Sequence, residues 1–392
     1  METGSLPLSG KIRINSIDIL RGLVMIIMAL DHTRDFFHLS SDPNNLQTTT
    51  PVLFFTRWIT DFCAPVFVFL SGTSAFLSGR RKTKKELSSF LFKRGVWLIF
   101  VEVAIFNLFL TFDPTYSFIA VQVLWVIGFS MIILSAMIYL PFWGIFIIGL
   151  AIVCGHNLLD VFDVARPASP TVWWGFLHQQ SFFPYSHNRM FAFLYPLIPW
   201  PGVMMLGYCM GIIYGKNYDA AKRRKVLLVS GVIVTLFFIG LRFTNIYGDP
   251  SNWQVQKNGI YTVLSFLNLT KYPPSLLYLT MTLGPALIVL SFTESVGGKW
   301  SKIVAVYGRV PFFYFLVHFF LLHFICMIIF FINGHSLAQA NTGLLHFRPD
   351  DFGYSLGIVY LIWIAVVVSL YPICKRYDRL KSSHKYWWLS YL

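Results

Sequence analysis

Charge is what this sequence has least of. Asp, Glu, Lys and Arg make up 12% of its 392 residues, against about 25% in a soluble domain. Acids are the scarcer sign: 17 Asp and Glu face 31 Lys and Arg, a net charge of +14. The five cysteines, Cys63, Cys154, Cys209, Cys326 and Cys374, are scattered in or beside apolar runs with no CxxC or Cys/His ligand spacing. That pattern excludes a disulfide framework and a structural zinc finger. There is no P-loop, dinucleotide fingerprint, nucleophile elbow or HExxH pair, which sets nucleotide hydrolysis and zinc catalysis aside. His318 and His323 are five residues apart, about 140° around a helix. The expectation is no metal. Nor does a basic stripe interleaved with aromatics appear, so the positive charge does not imply a nucleic-acid partner.

What is present is apolar. Hydrophobic residues are 56% and aromatics 18% of the chain, and the mean hydropathy is +0.62. These values describe an all-α, polytopic integral membrane helix bundle read as one domain over residues 1–392. Ten segments are long and apolar enough to cross a hydrocarbon core of ~30 Å: 15–38, 52–79, 89–111, 118–139, 142–158, 191–215, 225–243, 273–293, 307–332 and 354–374. Lys and Arg crowd one set of connections: Lys11 and Arg13, Arg80 to Arg94, Lys216 with Lys222 to Lys225, Lys299 and Lys302, and Lys375 to Lys385. The alternate set holds only Arg166, Arg189, Arg242, Lys257, Lys271 and Arg348. By the positive-inside rule both termini are cytoplasmic. The longest loops, 159–190, 244–272 and 333–353, then face the other side and carry Trp173, Trp174, His178, His187 and Trp253. Such residues suit either a substrate-facing surface or interfacial anchors.

Against this background the first segment stands out. The run LRGLVMIIMALDHTRDFFHL (20–39) starts apolar and then places Asp31, His32, Arg34, Asp35 and His38 within eight residues, with Asp18 and Arg21 just upstream. A charged side chain at the bilayer centre costs ~2.5–3.5 kcal/mol on insertion scales. At 100° per residue, Asp18, Arg21, His32 and Asp35 share an arc of about 100°, which suits a face turned to a bundle interior or wet cavity. Arg57 and Asp61, at i and i+4 in the second segment, fall at the depth of Asp31. His318 and His323 come from the ninth segment, and Glu102 is a lone acid in the third. Asp18–Arg21 and Arg57–Asp61 also read as helix-internal ion pairs, and His323 as an interfacial histidine. An imidazole between Asp31 and Asp35 is poised for proton transfer.

The stretch SIDILRGLVMIIMALDHTRDFF resembles the opening helix of the family named for the heparan-alpha-glucosaminide N-acetyltransferase catalytic domain. The likeness continues through RWITDFCAPVFVFLSGTSAFL, YPLIPWPGVMMLGYCMGIIYG (195–215) and YGRVPFFYFLVHFFLLH (307–323, with Arg309, His318 and His323). It thus covers residues 10–335 and lacks the large luminal extension of the animal lysosomal enzymes. Many members are bacterial, so the resemblance implies a bacterial cytoplasmic (inner) membrane. It also looks related to wider transmembrane acyltransferases that carry an Arg and, eleven residues later, a His; Arg21 and His32 match that spacing. The heparan enzymes have Asn at the position of His32 and a catalytic His further on, for which His38 is the nearest equivalent.

The resemblance implies acetyl-CoA as co-substrate and a glycan or other small acceptor beyond the membrane. Membrane lipid is the surrounding partner, and related human-type enzymes look dimeric, implying a homodimer. Arg21, with Asp18, would hold the donor phosphate or thioester. His32 would accept the acceptor's proton, with Asp31 or Asp35 fixing its tautomer, or carry the acyl group itself. Arg34, Arg57 or the Ser71–Ser74 turn would stabilise the oxyanion. The rival reading is a proton-coupled exporter of a small metabolite using the same Asp/His/Arg set as a relay. A third is an envelope assembly protein, in which the polar cluster would stand idle.

Overall fold

Punctuation in the apolar runs decides where helices begin and bend. The computed structural model describes residues 14–39, 42–165, 170–215, 217–340, 345–349 and 352–384. Lys11, Arg13, Arg166, Lys216 and Lys385, invoked above for orientation, lie outside them. Helix α1 spans Asn15–Phe37. Helix α2, Pro51–Gly79, opens with Pro51 in its first turn and the Thr50 hydroxyl accepting from Leu53 N–H (3.2 Å). Pro65 has no N–H to give Asp61, and α2 tightens to a 3₁₀ turn at Ile59–Phe62. The Asp61 carbonyl is taken instead by the Tyr278 hydroxyl (2.8 Å). Helix α3, Lys84–Thr111, starts at a Thr83/Glu86 capping box and widens into a π-bulge at Val101–Phe106.

Strand β1 (Phe118–Val121) precedes α4 (Val123–Met137). After α5 (Phe142–Gly155) and a 3₁₀ turn at His156–Leu159 come the short α6 (Asp160–Ala165) and α7 (Val172–Leu177). Strands β2 (Ser181–Ser186) and β3 (Arg189–Phe193) follow, then α8 (Trp200–Tyr214). The remainder is α9 (Ala220–Thr244), α10 (Gly259–Leu267), α11 (Leu276–Thr293), α12 (Lys299–Arg309), α13 (Pro311–Ile332) and α14 (Leu356–Ser383).

The chain is mostly helical, but the all-α expectation needs correction. The three strands form one small sheet in the order β1-β3-β2, with β1 and β3 parallel. The apolar runs expected to span at 118–139 and 191–215 therefore begin as strands. Phe118-Ile119-Ala120-Val121 is rich in the residue types that suit a pleated, half-buried strand. Pro196, Pro199 and Pro201 delay the second helix until Trp200, since an interior proline breaks the helical ladder. The run 307–332 also divides: α12 ends at Arg309, and Pro311 starts α13.

Among the described residues, seven helices are long and apolar enough to cross a membrane: Pro51–Gly79, Lys84–Thr111, Phe142–Asp163, Ala220–Thr244, Leu276–Thr293, Pro311–Ile332 and Leu356–Ser383. Helices α4 and α8 are apolar but shorter, and α1 is interrupted by charge. Only 22% and 17% of the most apolar stretches of α9 and α14 are buried, against 67% for α11, so α9 and α14 lie at the periphery. Their outward residues, including Leu236, Phe243, Leu361 and Val368, are exposed and apolar. An exposed apolar belt of this kind fits lipid rather than water.

Glycines set how closely the helices cross. A Cβ on Gly22 would lie 2.0 Å from the Val304 carbonyl oxygen, and one on Gly308 would lie 1.9 Å from that of Asp18. Gly72 and Gly207 meet α8 and α2 reciprocally, as do Gly95 and Gly128 between α3 and α4. Without a hydrophobic drive between helices in lipid, such backbone contact supplies the packing. It places α1 among α2, α11, α12, α13 and α14, so the most polar helix is also a central one.

Candidate active site

Three carboxylates and three cations form one largely buried chain across three elements. Lys271 Nζ lies 3.3 Å from Asp61 Oδ1, and Arg57 lies 3.3 Å from the same oxygen. Arg57 reaches Asp31 at 3.0 Å, Arg34 reaches Asp31 at 2.8 Å, and Arg34 reaches Asp35 at 2.6 Å. The formal charges cancel. Arg34 and Arg57 are buried, whereas Asp35 at the end of the chain is exposed. The Arg57–Asp61 pair expected within one helix is thus part of an interhelical network joining α1, α2 and the loop before α11.

His32 stands beside this network but is oriented by something else. Its Nδ1 is 2.8 Å from His318 Nε2, and His318 Nδ1 is 2.7 Å from the Tyr314 carbonyl. A carbonyl oxygen only accepts, so His318 Nδ1 carries the proton and its Nε2 accepts. His32 Nδ1 is then the donor, which leaves His32 Nε2 with its lone pair. The expectation that Asp31 or Asp35 fixes the tautomer is corrected: those carboxylates are held by Arg34 and Arg57. Adjacent helical residues diverge by about 100°, so Asp31 cannot follow His32 toward α13. Phe319 and Phe315 meet the His32 ring edge-on, with centroids at 5.0 and 6.1 Å.

Arg21 lies eleven residues before His32, about 16 Å along α1. It donates to Ser74 Oγ (2.9 Å) and the Gly308 carbonyl (3.1 Å) and pairs with Asp18 at 3.4 Å. Arg21 borders a cavity of about 110 Å³ with Arg94, Ser71, Met25, Met28 and Phe315. Polar groups therefore mark one part of this cavity. The rest is apolar and reaches Met28, one turn below His32, and Phe315, which touches the His32 ring. An engineered apolar cavity of about 150 Å³ accepts benzene, so this one suits a small acyl group and not a nucleotide.

Other residues singled out in the sequence lie apart from this centre. His38 ends α1, where its carbonyl accepts from Arg348 (2.7 Å) and its backbone bridges to Tyr354. His323 spans two carbonyls, Phe109 at 2.6 Å and His346 at 2.9 Å, and stacks on Phe112; it ties α13 to the end of α3. Arg309 pairs with Asp378 of α14 at 2.8 Å. Glu102 is fully buried and accepts from the N–H groups of Gln122, Leu124 and Trp125 (3.1, 2.9 and 3.3 Å). It satisfies the otherwise unpaired start of α4.

Two participants were counted in the sequence only as orientation charges. Lys271 enters through TKYPPS just ahead of α11, and Arg94 through the middle of α3. The available signal was position: Arg94 falls inside the apolar run 89–111 rather than in a loop, and Lys271 is wedged against Tyr272-Pro273-Pro274.

A mostly helical membrane protein with a charge-balanced ion-pair network and a histidine pair among its helices is the class these features define. The chain belongs to the family described as heparan-alpha-glucosaminide N-acetyltransferase, catalytic, which matches residues 13–247. Among curated proteins, none matches the chain. The family is one of N-acetyltransferases, and such enzymes generally take the acetyl group from acetyl-CoA. Arg21, His32, Arg57, Lys271's partner Asp61 and Arg94 all lie inside the matched region; His318 and Lys271 lie beyond it.

Proposed function

We propose that this protein transfers an acetyl group from cytoplasmic acetyl-CoA to an acceptor hydroxyl or amine on the far side of a bacterial cytoplasmic membrane, the acceptor being a sugar of an envelope glycan. The observation that carries this reading is the cavity bordered by Arg21 and Arg94, which extends to Met28, one helical turn before His32, and to Phe315, whose ring meets that of His32 edge-on. In this reading α1, α4 and α8 cross alongside the seven longer helices, giving ten crossings with both termini inside.

Arg21 and Arg94 hold donor phosphate at the cytoplasmic end, because guanidinium forks match phosphate oxygens. The 110 Å³ space admits the thioester end while the nucleotide stays outside. The acceptor enters from the Lys271 side. His32 Nε2 takes the proton from the acceptor as its oxygen or nitrogen attacks the thioester carbonyl. The tetrahedral intermediate then collapses, the C–S bond breaks, and His32 returns the proton to the departing CoA sulfur. His32 ends the cycle neutral, and His318 keeps its tautomer throughout. Arg34, already bonded to two carboxylates, is less suited to meet the oxyanion than Ser71, which borders the cavity.

The test is purified protein with acetyl-labelled acetyl-CoA, with and without candidate glycans, comparing wild type with His32→Ala and His38→Ala. Wild type and His38→Ala should release CoA and label an acceptor, and His32→Ala should not. If no acceptor, and no protein residue, is labelled by folded wild type, the transferase reading fails. Acetyl-independent proton flux in liposomes would then favour the exporter.

A further inference from the structure

Away from this centre, α5, α6 and α7 bring together a second cluster that the proposed reaction does not use. His178 follows α7 and its side chain is completely buried. Its Nδ1 lies 3.1 Å from Asp163 Oδ2, and the other Asp163 oxygen accepts from Trp174 Nε1. Asp163 therefore holds the Nδ1 proton and leaves Nε2 with its lone pair. Among the described residues Nε2 has no hydrogen-bond partner, and it faces Asp160 Oδ1 at 3.6 Å. Asp160 is itself oriented by Asn157 Nδ2, 2.7 Å from its other oxygen. With the imidazole neutral, two electron-rich atoms point at each other beside a buried ring, an arrangement that costs energy unless a metal ion or a proton lies between them.

We propose that Asp160 and His178, with Asp163 behind the imidazole, form a binding site for one divalent cation of the zinc class. One donor atom from each of the three side chains lies within 4.8 Å of the others. Zinc bonds of about 2.0–2.2 Å to nitrogen and oxygen place two tetrahedral ligands roughly 3.4 Å apart, close to the 3.6 Å between Nε2 and Oδ1. The Asp163–His178 bond reproduces the outer carboxylate that fixes tautomer and ring in metal-bound histidines. Asp160 and Asp163 keep 20% and 23% of their side-chain surface, so an ion can enter from solvent and water can complete its coordination. Imidazole with carboxylate favours zinc-like ions over magnesium or calcium.

The site has a structural consequence. The turn before Asp160 holds the segment after Lys271, through His156 Nε2 at 2.9 Å from the Pro274 carbonyl and Asn157 Oδ1 accepting from Leu276 N–H at 2.8 Å. A bound ion would stiffen the support behind Lys271.

The experiment uses the full chain in detergent without a polyhistidine tag, stripped with chelator, reloaded with Zn²⁺ and dialysed, with bound metal and thermal unfolding measured. Wild type should retain one Zn²⁺ per chain and unfold at higher temperature with it, and equal Ca²⁺ or Mg²⁺ should do neither. Asp160→Asn should lose the retained Zn²⁺ while leaving the Asp163–His178–Trp174 bonds in place. Asp163→Asn should weaken binding about 10- to 100-fold, the usual cost of removing an outer-shell partner. Should His178→Gln fail to fold, Asp160→Asn still decides. The proposal is overturned if folded wild type retains no more Zn²⁺ than Asp160→Asn; a proton then occupies the gap.

Discussion

Replacing His318 with Ala tests the tautomer argument most directly, because it touches neither the donor cavity nor the ion-pair chain. The substitution removes the acceptor 2.8 Å from His32 Nδ1. A buried donor left without a partner costs ~1–3 kcal/mol. His32 can recover that cost by moving its proton to Nε2, which is the wrong tautomer for a base. At 1.36 kcal/mol per tenfold, kcat should fall roughly 5- to 150-fold. His32→Ala, which deletes the proposed base, should cost ~10²–10⁴-fold. The KM for acetyl-CoA should be unchanged in both, since Arg21 and Arg94 are untouched. His318→Gln offers a side-chain oxygen to Nδ1–H and should recover most of the rate, which a merely structural role would not require. The assay is initial-rate CoA release over a range of acetyl-CoA and acceptor concentrations, with thermal unfolding run beside it. A folded His318→Ala with wild-type kcat, or a His318→Gln as inactive as His318→Ala, would refute the reasoning.

Four further outcomes are expected. Arg21→Ala and Arg94→Ala should each raise the KM for acetyl-CoA about 10- to 150-fold, the value of a charge-assisted hydrogen bond of ~1.5–3 kcal/mol, read from saturation curves. Phe315→Trp should fill part of the cavity it borders with Met28 and lower kcat for acetyl transfer more than it changes donor binding, measured by separating kcat from KM. Lys271→Met should destabilise the protein by about 3 kcal/mol, because it leaves Asp61 under-compensated in a buried network. Adding Asp61→Asn should return part of that loss, a coupling visible in a double-mutant cycle of unfolding temperatures. Gly308→Ala should destabilise by ~1–3 kcal/mol, since its Cβ would overlap the Asp18 carbonyl; Gly240→Ala, where a Cβ meets nothing within 4 Å, should be neutral or slightly stabilising in the same unfolding assay.

Much of this was legible one residue at a time. Apolar length places the helices, because a run that avoids charge and interior proline has few other ways to satisfy its backbone in lipid. The cost of charge in that setting singles out Asp18, Arg21, Asp31, His32, Arg34 and Asp35 without any partner being known. The same cost marks His318 and His323 in the ninth apolar run. These are properties of composition and helical period, and they belong to the chain by itself.

Partners do not follow from period. Arg57 read alone is closed by Asp61 four residues on, and only the packing of α1 against α2 adds Asp31. Lys271 looks like a loop charge until the turn before α11 carries it to Asp61. His32 looks governed by its neighbours Asp31 and Asp35, yet α13 supplies His318 from 286 residues away. His323 and Glu102, as conspicuous in sequence as His318, are absorbed in holding carbonyls and a helix start. The apolar code says that a polar residue in a membrane helix must find company. Which company it finds, and hence whether it does chemistry or holds the fold, is decided by helix crossings set at glycines far along the chain.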